Sequence, residues 1–157
     1  MRLASDARGG AVIETLVALP LTLFVFLTSV QLGVLEIASL GASHAAQTSA
    51  RAASVVLADD PRDYDGPAGH ATPRRVDDVR TAGRAAFGFI DSRSDLDVTL
   101  DRASYRRGDP VKVRARVTVE CRVPFARLVC LVGGDGTRRV LEREATAPYQ
   151  GAGFEYD

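Results

Sequence analysis

Histidine and cysteine are nearly absent from this sequence: His44 and His70 are the only imidazoles, and Cys121 and Cys130 the only thiols. A zinc site draws on more such ligands than the chain supplies, so no metal is expected. No nucleophile stands in a recognisable elbow and neither histidine has a suggestive context, so neither an enzyme nor a cofactor is expected. Net charge is absent as well. The 20 basic and 20 acidic residues cancel, which argues against a nucleic-acid partner.

The absence that decides the class is local. Thr15 to Leu35 contains no charged residue, and 14 of those 21 positions are apolar. At a rise of about 1.5 Å per residue such a helix spans roughly the 30 Å hydrocarbon core of a bilayer. Arg2 and Arg8 against Asp6 precede the run, whereas Glu36 and, beyond Arg51, Asp59 and Asp60 follow it. The positive flank is N-terminal, so a cytoplasmic N-terminus and an exported C-terminal part are expected. In a bacterium that means a single-pass inner-membrane protein with a periplasmic domain.

Simpler readings of the run stay open at this point. A signal peptidase would find small residues at Ser43-His44-Ala45 and release a secreted β-domain beginning at Ala46, although the run is longer than an ordinary signal. The helix is otherwise an uncleaved anchor for a membrane-tethered periplasmic binding module. A buried helix of a soluble protein is disfavoured, because so small a domain hardly covers 21 uncharged residues on every face.

Glu14 asks for more than an anchor. A carboxylate in a membrane helix costs about 2.5 kcal/mol or more at the centre and less near the interface, so it needs a partner. Cutting the chain after Gly9 would create an amine on Gly10, one helical turn from Glu14. Alternatively the carboxylate snorkels to the headgroups.

The segment Arg8-Gly9-Gly10-Ala11-Val12-Ile13-Glu14-Thr15-Leu16-Val17-Ala18-Leu19-Pro20-Leu21 resembles the start of TadE-like pseudopilins of the Tad (Flp) pilus system. That family shows a short basic leader ending in Gly, a run of small or apolar residues, a Glu, and a Pro within the apolar run after it. His44-Ala45-Ala46-Gln47-Thr48-Ser49-Ala50-Arg51-Ala52-Ala53 is similar to the family's Ala-rich stretch ending in Ala-Arg-Ala. The likeness covers roughly residues 8–56; where the family often has an aromatic residue after the Glu, this chain has Thr15. The resemblance implies cleavage by prepilin peptidase at Gly9–Gly10 and a role for Glu14 in assembly. It also implies other pilins or pseudopilins and the pilus assembly platform as partners, inner-membrane lipid around the helix, and service as a minor or priming component of a pilus or related secretion machine.

One helix over about residues 10–58 is expected, with Pro20 freeing the carbonyl of Leu16 and marking a kink. Its exported half carries Glu36, Ser39, Ser43, Gln47, Arg51 and Ser54 opposite Ala38, Ala42, Ala45, Ala52 and Val56, an amphipathic pattern. Ser29, Gly33, Gly41, Ala45, Ser49 and Ala53 form a ridge of small residues that either packs against neighbouring helices or docks on the chain's own head domain.

The organisation that follows is a leader over 1–9, the helix over 10–58, a Pro- and Gly-containing loop or linker over 59–75, and a head domain over 76–157. Asp60, Asp63 and Asp65 before Gly66 read as a solvated turn, since no Glu closes a calcium loop. Val76, Val79, Ala86, Phe87 and Ile90 predict a short helix over 76–90. Period-two patterns predict strands at Leu96–Leu100, at Val111–Cys121 and over 138–147. A hairpin looping over 124–127 would pair Val123 with Leu128, Cys121 with Cys130 and Val119 with Val132, which predicts a disulfide; two buried thiols are the alternative. Arg114 and Arg116, with Glu120 on the same face, read as a solvated sheet surface. The expected fold is α+β: a long helix carrying a small antiparallel sheet and one short helix.

Overall fold

The apolar run and the alanine-rich stretch after it form one helix. The computed structural model describes residues 3–88, 95–121, 127–132, 134–149 and 151, with side chains from residue 10 in the first helix and from 129 in the third. Helix α1 spans Leu3–Val56 and continues through Pro20. Within it the Thr15, Thr22, Thr28 and Ser29 hydroxyls each donate to the carbonyl four residues back, at 2.7–2.9 Å. Their polar groups are thus satisfied inside the helix, as a lipid environment demands. The helix ends because the Ala58 and Asp59 amides turn to carbonyls three residues back and tighten the last turn, and Pro61 disfavours helical backbone at Asp60.

Helix α2 covers Pro73–Phe87, with Thr72 extended at its N-cap and Pro73 in the first turn, where a missing amide costs nothing. Three strands follow: β1 over Asp95–Leu100, β2 over Pro110–Glu120 and β3 over Arg138–Pro148, in sheet order β1-β2-β3. Helix α3, Arg127–Leu131, lies between β2 and β3 in sequence. Strands β1 and β2 pair antiparallel, from Asp95 opposite Thr118 to Leu100 opposite Val113. Their alternation places Leu96, Val98, Val111, Val113, Ala115, Val117 and Val119 in the core and the charged residues outside. The α+β class is as expected.

By contacts the chain divides into two compact units. One contains α1 up to Leu35 together with Glu120–Arg139, and the other contains Glu36–Val119 with Val140–Asp157. In the second unit α1 supplies core rather than a stalk. Ala38, Ala42, Ala45, Ala46, Ala50, Ala53 and Leu57 are all buried, alongside Val79 and Phe87 of α2. Small side chains there let α2 come close: a Cβ on Gly83 would lie 2.3 Å from Ser49 Oγ and 3.1 Å from Val98 Cγ2.

One expectation is corrected in extent and another in kind. The segment 59–75 is a loop as expected, but only as far as Thr72: α2 begins at Pro73, and Arg75 is fully buried. Its Nη1 donates to Pro67 O at 2.8 Å, His70 O at 3.1 Å and Gly66 O at 3.4 Å, and its Nη2 to Asp59 O at 2.9 Å. The Tyr64 ring lies 5.0 Å from the guanidinium carbon. Loop carbonyls that lack a ladder of their own are therefore satisfied by one planar cation. Gly69, at φ +82°, allows the loop to pass Tyr105, whose carbonyl a Cβ would approach to 2.5 Å.

The hairpin after β2 is also replaced. Leu128 and Cys130 belong to α3, and Val132 follows in a turn, 72% exposed, rather than facing Val119. Both edges of β2 are occupied, by β1 and β3, and Cys121 N–H donates to Thr137 O at 2.8 Å. At Cys121 the place of a returning strand at 128–132 is taken by the chain at Thr137. Val123 and 124–126 of that expected hairpin, and Ile90 of the expected helix, lie outside the described residues.

Candidate functional site

The residues singled out for processing and assembly sit on the barest part of the molecule. From Gly10 to Phe26 every residue of α1 is exposed, including Ile13 at 65%, Leu16 at 67% and Val17 at 70%. The stretch Gly10–Val56 is long and apolar enough to cross a membrane. An uncovered apolar surface of this extent marks contact with lipid or with other proteins. Glu14 is exposed within it, four positions after Gly10 and about 6 Å further along the axis at the standard rise. No atom lies within 4 Å of the position a Cβ on Gly10 would take.

The Gly9–Gly10 bond lies inside the helical segment. Glycine is the weakest helix former short of proline, by about 1 kcal/mol per residue relative to alanine, so two in succession make this turn the easiest part of α1 to open for a protease. The side chains of Arg2 and Arg8 lie outside the described residues.

The ridge of small residues divides along its length. Ser29 and Gly33 are exposed, with open space where a Gly33 Cβ would stand. Gly41, Ala45, Ser49 and Ala53 are buried, and Ala45 and Ser49 take the close approach of Gly83. The upper ridge therefore docks on the head, while the lower ridge is free for a neighbour. The expected polar stripe is interrupted for the same reason: Glu36, Gln47 and Arg51 are exposed, but Ser39 is buried and accepts a hydrogen bond from Arg143 Nη2.

Cys121 and Cys130 form a disulfide, with their Cα atoms 6.5 Å apart, although by a different route from the expected hairpin. On the outer face of the sheet Arg114 pairs with Glu142 at 3.1 Å and Glu144 at 3.4 Å, and Arg116 pairs with Glu142 at 3.0 Å. Arg138 lies 3.9 Å from Glu120. These exposed pairs contribute little stability, and they already occupy the charges an anionic ligand would need.

Among the described residues no group of His, Cys, Asp and Glu is placed to hold a metal ion. Asp60 accepts a hydrogen bond from Arg62 N–H and Asp65 pairs with Arg74 at 3.2 Å, as in a solvated turn. His44 contacts Thr48 Oγ1 at 3.1 Å on the exposed side of α1. The titrations that shift are those of loop supports. Burial, then a hydrogen bond to Asp101, pushes the Tyr105 hydroxyl well above its ordinary range. The backbone amides of Thr137 and Arg138 hold the Asp135 carboxyl down at about 2.

Arg75 and Gly83 are the structural determinants that sequence reasoning passed over. Arg75, next to Arg74 at the end of a Pro- and Gly-containing stretch, carries no local signal of burial, whereas a glycine inside a helical pattern was the available signal for a close crossing. No family model, curated protein or solved structure matches the chain.

Proposed function

We propose that this protein is a minor pseudopilin of the TadE-like kind, held in the bacterial inner membrane by α1 and trimmed by prepilin peptidase after Gly9. It takes part in assembling a Tad-type pilus or a related secretion machine. The observation that carries this reading is the solitary carboxylate of Glu14 on a bare apolar helix, four residues beyond a glycine pair. Trimming would supply its counter-charge one turn away, where such a pair is favourable. In assembly, the new amine and Glu14 set the axial register of neighbouring helices, and Ser29 and Gly33 permit close approach. The N-terminus lies in the cytoplasm and the sheet-bearing part in the periplasm, following the charge flanks.

Release of a secreted domain at Ala46 is disfavoured by packing. Ala45 and Ala46 are both 0% exposed in the core, so cleavage between them would cut through the head's own interior. Among the described residues the arginines of the charged sheet face are paired within it, which gives the purely tethered binding module no support there.

Mass spectrometry of the protein purified from its native membrane tests the proposal. A mature chain beginning at Gly10 is expected. An N-terminus at Ala46, or retention of the first nine residues, would overturn it. Glu14→Val tests the assembly role separately: pili formed at the wild-type level would remove the pairing function from Glu14.

A further inference from the structure

Strand β1 uses only one of its two edges. In the order β1-β2-β3 it pairs with β2 on one side and lies at the margin of the sheet on the other. Asp101 N–H donates to Lys112 O at 3.1 Å. The same register sets Thr99 opposite Arg114, Asp97 opposite Arg116 and Asp95 opposite Thr118. Residues along an antiparallel strand bond alternately to one side and the other, so Asp95, Asp97 and Thr99 spend their main-chain groups on β2. Leu96, Val98 and Leu100 turn theirs outward, where no other main chain meets them among the described residues. The side chains of Leu96 and Val98 are locked in the core, 4% and 1% exposed. That leaves a short, firmly held row of unused donors and acceptors, to which an extended chain can add as a further strand.

Charge on the outer face selects the kind of chain. Strand β2 carries the cations Lys112, Arg114 and Arg116, and the flanking strands carry carboxylates, Asp95 and Asp97 on β1 and Glu142 and Glu144 on β3. The cations are spent on the β3 side. Lys112 lies 3.9 Å from Glu144, and Arg114 lies 3.1 Å from Glu142. Arg116 lies 3.0 Å from Glu142, although Asp97 stands directly opposite it. Asp95 and Asp97 are exposed, and among the described residues neither has an ion pair or a side-chain hydrogen bond. A second copy of this chain is a poor occupant of the edge. Its β1 would set aspartate against aspartate, its β3 would bring Glu142 and Glu144 beside them, and like charges across a strand pair are destabilising. A strand with Lys or Arg at alternate positions instead continues the banding of acid and base. Its intervening side chains fall on the side of Leu96 and Val98, where apolar residues fit.

We propose that the outer edge of β1 is a docking site for an extended segment of another protein, basic at alternate positions and apolar between them. The segment joins the sheet beside β1, held by its main chain to Leu96, Val98 and Leu100 and selected by Asp95 and Asp97. This goes beyond the proposed function and does not rest on it, because an assembly component and a simple tether can both hold a strand. Contact along one strand of 6 residues is small, so the complex is weak and sensitive to salt.

Fluorescence polarisation with the full chain in non-ionic detergent tests this. The probe is a short, blocked, labelled peptide in which arginine and valine alternate, and a second peptide has the same composition with its arginines grouped. Two more carry N-methyl groups, one on the valines and the other on the arginines, since only one alternate set of amides faces β1 in a strand. The expected result is saturable binding of the alternating peptide with a Kd below about 1 mM. Grouping the arginines, methylating one set of amides but not the other, and Asp95→Asn with Asp97→Asn should each weaken it about tenfold or more. Hydrogen exchange of the Leu96 and Val98 amides, followed by NMR, should slow in the complex. Both aspartates are exposed, so the double variant should keep its urea midpoint, and the peptide comparisons do not depend on it. Equal binding of the alternating and grouped peptides, or of both methylated forms, overturns the inference, because charge alone then holds the peptide. Absence of binding also overturns it and leaves Asp95 and Asp97 as a guard against edge-to-edge pairing of copies.

Discussion

Replacing Arg75 is expected to destabilise the head domain more than any surface change, and the structure sets the size. Three of its hydrogen bonds are 2.8–3.1 Å long and go to backbone carbonyls of Pro67, His70 and Asp59. Truncation by Arg75→Ala leaves these acceptors in a site that the side chain had sealed completely. Each orphaned group costs about 1–3 kcal/mol, and loss of stacking on Tyr64 adds about 0.5–2 kcal/mol. Removal of the buried cation recovers part of its desolvation cost, so a net loss of about 3–5 kcal/mol is expected. That is a large share of the roughly 5–15 kcal/mol that holds a domain together. Arg75→Lys places one ammonium where a planar fork spans carbonyls on both sides, and about half the loss should remain, roughly 1.5–2.5 kcal/mol. The neighbouring Arg74, whose side chain is 66% exposed, should change stability by less than about 0.5 kcal/mol on conversion to alanine. Urea unfolding of the full chain in detergent, followed by tyrosine emission, reads these differences. The assay suits a protein with four tyrosines and no tryptophan, one of which, Tyr64, lies against the guanidinium. An Arg75→Ala protein within about 1 kcal/mol of wild type would refute the reasoning, because it would mean the loop carbonyls find other donors.

Gly83→Ala should destabilise the wild type despite its helix preference of about 1 kcal/mol, since the new methyl meets Ser49 Oγ at 2.3 Å. In a Ser49→Ala background it should be neutral or stabilising, and a double-mutant cycle showing no coupling would exclude the close crossing. Converting Cys121 and Cys130 together to serine should cost roughly 2–3 kcal/mol in the chain-entropy model for so short a loop, measured by the same urea titration. An equal midpoint for both proteins would contradict this. Asp135, exposed and held near 2 by backbone amides, has a folded value below the ordinary unfolded one of about 3.9. Its contribution is present above about pH 4 and is lost as pH falls through about 2. A carboxyl NMR titration with a midpoint near 4 would show that the turn at Asp135 is not formed.

The strongly periodic parts of the fold were legible. Eleven residues of strict alternation gave β2 almost to the residue, and the absence of charge and proline in the right places gave α1 as one helix. Legibility failed where a structure depends on partners distant in sequence. The pairing of Cys121 with Cys130 is real, but the register argument behind it was local and did not foresee that β3 takes the edge of β2. Proline and glycine made 59–75 read as a loop or linker, and a loop it is up to Thr72, but nothing in the stretch itself shows that Arg75 gathers its carbonyls. At the candidate site, Glu14 was visible as the one charge at the entrance of an uncharged run, and the glycine pair took its meaning from the resemblance to TadE-like pseudopilins. The division of the small-residue ridge was not, since it depends on Gly83, a residue 30 or more positions away from the ridge.

The use of α1 as core has a consequence for biosynthesis. Leu57 and Tyr149, whose hydroxyl points to the Leu57 carbonyl, are 92 residues apart, and Ser39 and Arg143 are 104 apart. At about 5–20 residues per second, the ribosome needs roughly 5–20 s to deliver the second member of each pair after the first. For that interval the alanine face from residue 38 to 57 has α2 but not β3 or Tyr149 to pack against, and contacts so far apart in sequence close slowly in any case. The head therefore matures only after β3 has been synthesised. In the meantime a chaperone has a defined, shallow apolar surface to hold.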